Sequence, residues 1–169
     1  ASLKPYLLQC KKWFEDDTTL ELDIDNLKWS SGWTKVFSFM FNMTTIYDSR
    51  VAAYINYIFS TFFHSLESED KKQALKAILQ MLVTFHGARG RARILHKPER
   101  EVLNIKTKTS NDKKNFVANK VASWILRYIC NLEYKEQSQS NFRQIDKAMF
   151  MLGFDIHQID KNAEFKIYQ

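Results

Sequence analysis

The chain has 169 residues, a length that suits one domain with a substantial core. It carries 25 lysines and arginines against 19 aspartates and glutamates, and the net charge of +6 permits binding to polyanions without establishing it. Only four glycines and two prolines are present, too few for the many turns of a sheet-rich fold. We therefore predict an all-α fold, with residues 1–169 forming a single compact domain of about six or seven helices.

The first half of the chain predicts three helices separated by one irregular stretch. Pro5 suits the first turn of a helix, and either Asp48 or Ser49 suits the cap that starts another. Residues 15–28 are acidic and alternate loosely between apolar and charged side chains, so a short strand and an extended loop fit equally well. The three helices are predicted at 5–14, 32–42 and 48–64.

The second half predicts three more helices around a basic loop. Gly87, two further helix-breaking residues and five cations mark a loop at about 87–111. A polar linker at 137–141 separates the last two helices, and Gly153 ends the last one. The tail after Gly153 fits either a short helix or an extended piece. The three helices are predicted at 67–86, 111–134 and 141–152.

Apolar residues at helical spacing predict the core of this bundle. The set expected to be buried contains four tryptophan or phenylalanine side chains on separate helices and nine further side chains. In chain order the predicted core residues are Trp13, Phe37, Met40, Val51, Ile55, Phe59, Ile78, Leu82, Val121, Trp124, Ile125, Met149 and Leu152.

The positive charge is concentrated between residues 86 and 120. This stretch holds ten lysines and arginines and three acids, a net +7 that exceeds the charge of the whole chain. Phosphate backbones attract such segments through counterion release, and glycines allow close approach of the main chain. A solvated loop that keeps the protein soluble explains the same charges equally well. The candidate phosphate contacts here are Arg89, Arg91, Arg93, Lys97, Arg100, Lys113 and Lys114.

The segment 32–51 combines a glycine, a lysine, a short apolar helix and an aspartate that opens the next helix. Gly32 is followed three residues later by Lys35, and Asp48 is followed three residues later by Val51. This pattern resembles the core of the helix-hairpin-helix DNA glycosylase superfamily. In that family a glycine-rich turn binds the DNA backbone, a lysine can attack the sugar C1′, and an aspartate stabilises the oxocarbenium ion or activates water.

The resemblance implies a role for each matching residue. Gly32 would correspond to the hairpin glycine, Lys35 to the nucleophile and Asp48 to the carboxylate, because cleavage of an N-glycosidic bond builds positive charge on the sugar. A structural interpretation stays open: Asp48 is then only a helix cap, and Lys35 lies on a solvated face. If the protein only binds DNA, Lys35 and Arg50 would contact phosphate.

Nucleic-acid binding, to DNA rather than RNA, is therefore the leading functional hypothesis. Whether the protein is an enzyme stays open; if it is active, an N-glycosylase or lyase activity is implied, and a divergent or inactive member is favoured. The alternative is a helical protein–protein interaction module or a subunit of a larger complex. Cations gathered on one face would favour nucleic acid, whereas an exposed aromatic patch would favour a protein partner.

The remaining sequence features predict neither a metal nor a cofactor. The four histidines lack metal-ligand spacing, and no phosphate-binding loop is present. Cys10 and Cys130 are far apart in the sequence and are expected to be buried free thiols. No apolar run reaches membrane-spanning length, so we expect no membrane partner and an intracellular protein, either cytoplasmic or in the nucleoid or nucleus.

Overall fold

Six α-helices form the fold in the residues that the computed structural model describes, which are 2–85, 103, 106–107, 111–136, 138–156 and 159. The predicted all-α fold and its single compact helical domain are confirmed. In chain order the elements are α1 (Leu3–Glu15), α2 (Ser31–Met40), α3 (Ser49–Ser65), α4 (Glu69–Met81), β1 (Val83–Thr84), β2 (Lys106–Thr107), α5 (Asp112–Tyr134) and α6 (Gln139–Leu152).

Side-chain caps determine where five of these helices begin. In each case a serine, aspartate or asparagine just before the helix accepts a hydrogen bond from a backbone N–H of the first turn, a group that has no partner inside the helix. The capping residues are Ser30, Asp48, Ser68, Asn111 and Ser138 for α2 to α6. Of the two alternatives for the start of α3, Asp48 rather than Ser49 is the cap.

The predicted end of the helix at 67–86 and the predicted start of the last helix are wrong. The helix predicted over 67–86 ends at Met81, because the β-branched Val83 and Thr84 form a short parallel strand pair with Lys106–Thr107. The last helix begins at Gln139 rather than residue 141, because Ser138 caps it. Of the two alternatives for residues 15–28, the loop is the one observed. The predicted stop at Gly87 and most of the basic loop lie outside the described residues.

The core forms where α3 and α5 both pack against α6 and α4. An aromatic cluster from α1, α2 and the start of α5 fills the end nearest the N-terminus. Its ring centroids lie 5.1–6.0 Å apart, within the range of favourable edge-on, tilted and stacked contacts. The cluster consists of Trp13, Phe14, Phe37, Phe41 and Phe116. Both cysteines are buried and free, as predicted.

Most of the predicted core is correct, and its three errors are side chains that the structure leaves exposed. Seven residues of the predicted set are buried, and Phe59, Trp124 and Ile125 are half-buried. Met40, Ile78 and Leu152 are exposed, so their assignment to the core is wrong. Met40 belongs to a helix that is apolar on both its inner and its outer face. Ile78 lies in the wall of an open cleft.

Candidate functional site

The connection between α2 and α3, residues 41–48, is the segment that the sequence singles out, and it crosses the interior of the domain. Its backbone is not helical, yet six of its eight side chains are nearly inaccessible to solvent. Extended backbone inside a core leaves N–H and C=O groups that need partners. Those buried side chains are Phe41, Met43, Thr44, Thr45, Tyr47 and Asp48.

Side chains of α5 supply partners for this connection. Ser123 accepts a hydrogen bond from the Thr45 N–H at 3.1 Å, and Asn119 donates its amide to the Thr45 carbonyl at 3.1 Å. One turn further along, Arg127 donates from Nε to the Met43 carbonyl at 3.0 Å. The polar side chains of α5 thus replace the ladder that a neighbouring strand would provide.

Asp146 of α6 holds the middle of the same connection. Its carboxylate accepts hydrogen bonds from the Thr45 hydroxyl and from Arg143 Nη1, the latter at 3.0 Å. Arg143 also donates to the carbonyls of Thr44, at 2.9 Å, and of Ser38. Burial raises the pKa of Asp146 above its usual value, and the hydrogen bonds from Thr45 and Arg143 counteract part of that increase.

Tyr47 joins the connection to β1. Its hydroxyl donates to the Val83 carbonyl at 2.8 Å and accepts from the Val83 N–H at 3.2 Å. Its ring meets the ring of Phe85 edge-on at 5.9 Å, and full burial raises the pKa of the phenol. Tyr47 is therefore a structural link between the α2–α3 connection and the strand pair.

The two candidate catalytic residues make hydrogen bonds to different parts of the backbone. Asp48 is nearly buried, and its Oδ1 accepts from the N–H groups of Arg50 at 2.8 Å and Val51 at 3.4 Å. Lys35 is exposed on α2, where Nζ donates to the Ser31 carbonyl one turn back at 3.3 Å. The structure gives no hydrogen bond or ion pair between these two side chains. Their catalytic roles stay predictions.

Gly32 and Arg50, the other two residues of the resemblance, also have local structural surroundings. Gly32 lies inside the first turn of α2, where an added Cβ would meet only Ser30 Oγ at 3.5 Å. The Arg50 guanidinium lies 4.2 Å from the ring centroid of Phe150 and 5.0 Å from that of Phe154. Arg50 therefore stacks between α3 and the end of α6, an arrangement worth roughly 0.5–1 kcal/mol or more per contact.

The structure describes only part of the basic segment. Five candidate contacts lie outside the described residues: Arg89, Arg91, Arg93, Lys97 and Arg100. Lys113 and Lys114 are exposed in the first turn of α5. Lys120, which contributes to the sequence charge of this segment, is buried and donates to the carbonyls of Trp13 and Thr19. Its desolvation lowers the pKa of the Lys120 amine.

An open apolar cleft between α3, α4 and α5 is the surface that sequence reasoning missed. It encloses about 620 Å³, and all of its lining residues are apolar or aromatic. Three of them project strongly: Phe62 is 52% exposed, Tyr128 65% and Leu132 62%. The sequence does contain a signal for this cleft, because α5 carries apolar residues on more faces than a single core contact requires. The α5 wall consists of Val121, Trp124, Ile125, Tyr128, Ile129 and Leu132.

A second exposed apolar surface, the α2 stripe, lies on α2. It consists of Val36, Phe39 and Met40, which follow one another at i, i+3 and i+4 and share one helix face. Phe39 is 84% exposed, more than any other large apolar side chain recorded as exposed in the described part of the chain. Phe37 and Ser38 bury the opposite face of α2 in the core.

Three further observations bear on the class of protein. Within the described ranges, no three His, Cys, Asp or Glu side chains are placed to hold a metal ion. None of the described helices combines the length and apolar character needed to cross a membrane. Comparison of the chain with sequence models of protein families, with curated proteins and with solved structures found no match.

Proposed function

We propose that the protein is a helical interaction module whose apolar cleft binds an amphipathic helix. The observation that carries this proposal is the cleft itself, which has walls on three helices and no charged side chain in its lining. Large exposed apolar surfaces on soluble domains mark interaction sites. A helix laid in such a groove would cover Phe62, Tyr128 and Leu132, which the monomer leaves in water.

Burial of apolar side chains would provide the free energy for binding in this cleft. Complete removal of one large apolar side chain from water contributes about 1.5–3 kcal/mol. The cleft offers several half-exposed side chains together, so a ligand helix with three or four apolar anchors meets enough surface for specific binding. The aromatic side chains Phe62, Tyr128 and Trp124 belong to the residue types that dominate binding energy at interfaces.

A fluorescent helical peptide tests this proposal. The probe carries leucines at i, i+3, i+4 and i+7, with alanine, glutamine and lysine elsewhere. Fluorescence anisotropy measures its binding to the unmodified chain and to two variants. Ile78→Glu places a carboxylate in the cleft wall, whereas Gln80→Glu adds the same charge to an exposed position of α4 outside the lining.

We expect Ile78→Glu to weaken binding by about tenfold or more, because the bound peptide would desolvate an unpaired carboxylate. Gln80→Glu should bind the peptide like the unmodified chain. Equal binding by all three proteins, or no binding of the probe to the unmodified chain, would overturn the proposal.

Nucleic-acid binding remains a second candidate, and the concentration of charge supports it. Residues 86–120 hold a net charge of +7, and the exposed Lys113 and Lys114 stand at one end of that segment. The pairing of β1 with β2 holds the chain together on either side of residues 86–105. Phosphate backbones attract such a concentration of cations through counterion release.

Anisotropy titrations against single-stranded DNA, intact duplex and abasic duplex, at several salt concentrations, test this second function. Replacing Lys113 and Lys114 by glutamine should reduce the salt slope by about two if both contact phosphate. Preference for the abasic duplex would justify an assay of base release with Lys35→Gln and Asp48→Asn. Absence of binding at low salt would exclude DNA binding by this chain.

A further inference from the structure

We infer that the helix bound by the apolar cleft is α2 of a second copy of this chain, with the α2 stripe as its anchor. This inference rests on the proposed helix-binding function of the cleft and names its partner. The copies would associate head to tail, because the two surfaces that meet are different parts of the molecule.

The α2 stripe has the form that a helix-binding groove requires. Val36, Phe39 and Met40 occupy the i, i+3 and i+4 positions that enter a groove together. In α1, by contrast, the exposed Leu3 and Leu8 are five residues apart.

Core packing and an N-cap also hold α2, and with it the stripe, in a fixed position. Phe37, on the opposite face of α2, stacks on Phe41 at 5.2 Å and lies 5.4 Å from the ring centroid of Phe14. The Ser30 side chain caps the start of the helix by accepting from the Trp33 N–H at 3.2 Å. A binding helix that is already formed and packed loses little conformational entropy on association.

Charge favours this pairing over contact with an acidic or basic helix. The only charged residue of α2 is Lys35, and none of the residues that line the cleft is charged. Contact between the two surfaces therefore desolvates few charges, which has to offset the salt-screened repulsion between two copies of net charge +6.

The areas match what a stable contact needs. With about 150–250 Å² for each large apolar side chain, the exposed parts of the stripe and of the cleft residues amount to about 800 Å² of apolar surface. The cleft residues counted are Phe62, Ile78, Met81, Tyr128 and Leu132. Complete burial of these side chains would supply more than half of the lower limit of the roughly 1,200–2,000 Å² that specific complexes bury in total.

Both surfaces are exposed on the same molecule, so one copy cannot fill its own cleft with its own stripe. Each bound copy presents a further free stripe or cleft, and assembly continues until a ring closes or a filament forms. The mass of the unmodified chain should therefore rise with concentration above that of the monomer, to a dimer if two copies close the ring and to larger species if they do not.

A complementation experiment with two singly blocked variants tests the inference. Phe39→Glu blocks the stripe, Ile78→Glu blocks the cleft, and Gln80→Glu serves as a control of equal charge. Sedimentation equilibrium gives the mass of each protein and of mixtures, and circular dichroism verifies the fold. Phe39 is exposed, so its replacement leaves the core intact.

We expect each blocked variant to be monomeric and an equimolar mixture of the two to form a heterodimer and nothing larger. In that mixture the Phe39→Glu protein supplies the intact cleft and the Ile78→Glu protein supplies the intact stripe. The Gln80→Glu control should assemble like the unmodified chain. A mixture that stays monomeric would overturn the inference.

Binding of the leucine peptide distinguishes a wrong partner assignment from a cleft that binds no helix at all. If the unmodified chain stays monomeric but its cleft binds the peptide, the inference is wrong and the proposed function stands. If the chain neither associates nor binds the peptide, both are wrong. If Phe39→Glu still associates while Ile78→Glu does not, the cleft accepts a different surface and the inference about α2 is wrong.

Discussion

Asp48 is the residue whose structural and catalytic interpretations differ most sharply. In the structure its Oδ1 accepts from two backbone N–H groups at the start of α3, the contacts of a helix N-cap. The cap was predictable from the sequence, because an aspartate precedes a run of apolar residues at helical spacing. The cap does not require a charge, whereas stabilisation of an oxocarbenium ion does, and substitution can separate the two roles.

Replacing Asp48 by asparagine should leave stability nearly unchanged, because asparagine caps helices about as well as aspartate. Asp48→Ala should lower the free energy of unfolding by about 1 kcal/mol, within the 0.5–2 kcal/mol range for lost caps. Urea denaturation measures both, with Ser68→Ala at the start of α4 as a second lost cap for comparison. Equal losses for asparagine and alanine would contradict a simple capping role.

Asp146 makes the stability of the protein depend on pH in a defined direction. Burial raises the pKa of its carboxyl in the folded state above the unfolded value of about 3.9. The folded protein then binds more protons than the unfolded chain between the two values. The contribution of this group is therefore fully present below the unfolded pKa and is lost as pH rises through the folded pKa.

The comparison of the unmodified chain with Asp146→Asn isolates this effect. Asparagine cannot titrate, so the stability of the unmodified chain relative to the variant should fall as pH increases from about 3.5, below the unfolded aspartate pKa, towards neutrality. Urea denaturation across that range measures the difference. A difference that rises with pH would mean that Arg143 and Thr45 outweigh burial and lower the pKa of Asp146.

At the scale of elements, the close contact between the start of α3 and the end of α6 depends on one glycine. An added Cβ at Gly153 would collide with the Arg50 carbonyl oxygen and lie 2.6 Å from its carbonyl carbon. Both of these atoms belong to the backbone, which cannot rotate away as a side chain can. The same junction is covered by the stacking of Arg50 on Phe150 and Phe154.

Gly153→Ala should therefore destabilise the protein by about 1–3 kcal/mol, the range for an overpacked interior. Gly32→Ala is the matched control, because its Cβ has room and α2 should gain about 0.4–1 kcal/mol from a less flexible unfolded chain. Thermal unfolding measures both changes. A loss of stability at Gly32 would contradict the position of that glycine inside an ordinary helical turn.

The elements were largely predictable from the sequence, and the exceptions have physical causes. Periodicity and caps located all six helices, but they extended α4 through Leu82 and beyond, since a short apolar run looks alike in a helix and in a strand. Periodicity also could not identify the outer face of α2, where Phe39 is as apolar as the buried Phe37. The exposed α2 stripe and cleft depend on tertiary packing, which spacing alone does not specify.

On the scale of the whole molecule, buried and half-buried polar contacts tie distant parts of the chain into one unit. Arg127 donates to the Phe14 carbonyl and to the Asp17 carboxylate, while Lys120 holds the Thr19 carbonyl at 2.8 Å. These contacts join α5 to α1 and the loop after it across about a hundred residues of sequence. They were not predicted, because a lysine or arginine on a helix more often lies on a solvated face.

This interdependence predicts unfolding in one step. Ser123→Ala removes the acceptor for the buried Thr45 N–H and should cost about 1–3 kcal/mol. The loss should lower the urea midpoints measured by far-UV circular dichroism and by tryptophan fluorescence equally, because α5 and the α2–α3 connection cannot separate without exposing unpaired groups. Separate midpoints for the two signals would show that part of the domain unfolds independently.

The shared hydrogen bonds of the α2–α3 connection also restrict how this protein can diverge. Thr45 depends on Ser123 of α5 and on Asp146 of α6, and Asp146 in turn depends on Arg143. A single replacement in this quartet leaves a buried group unpaired. Joint replacement by apolar residues does not avoid that cost, because Ser123 pairs with the Thr45 backbone N–H and Arg143 with the Thr44 carbonyl. Among descendants of this chain, Ser123 and Arg143 should therefore be replaced only by residues that keep a hydrogen-bonding group at the same place.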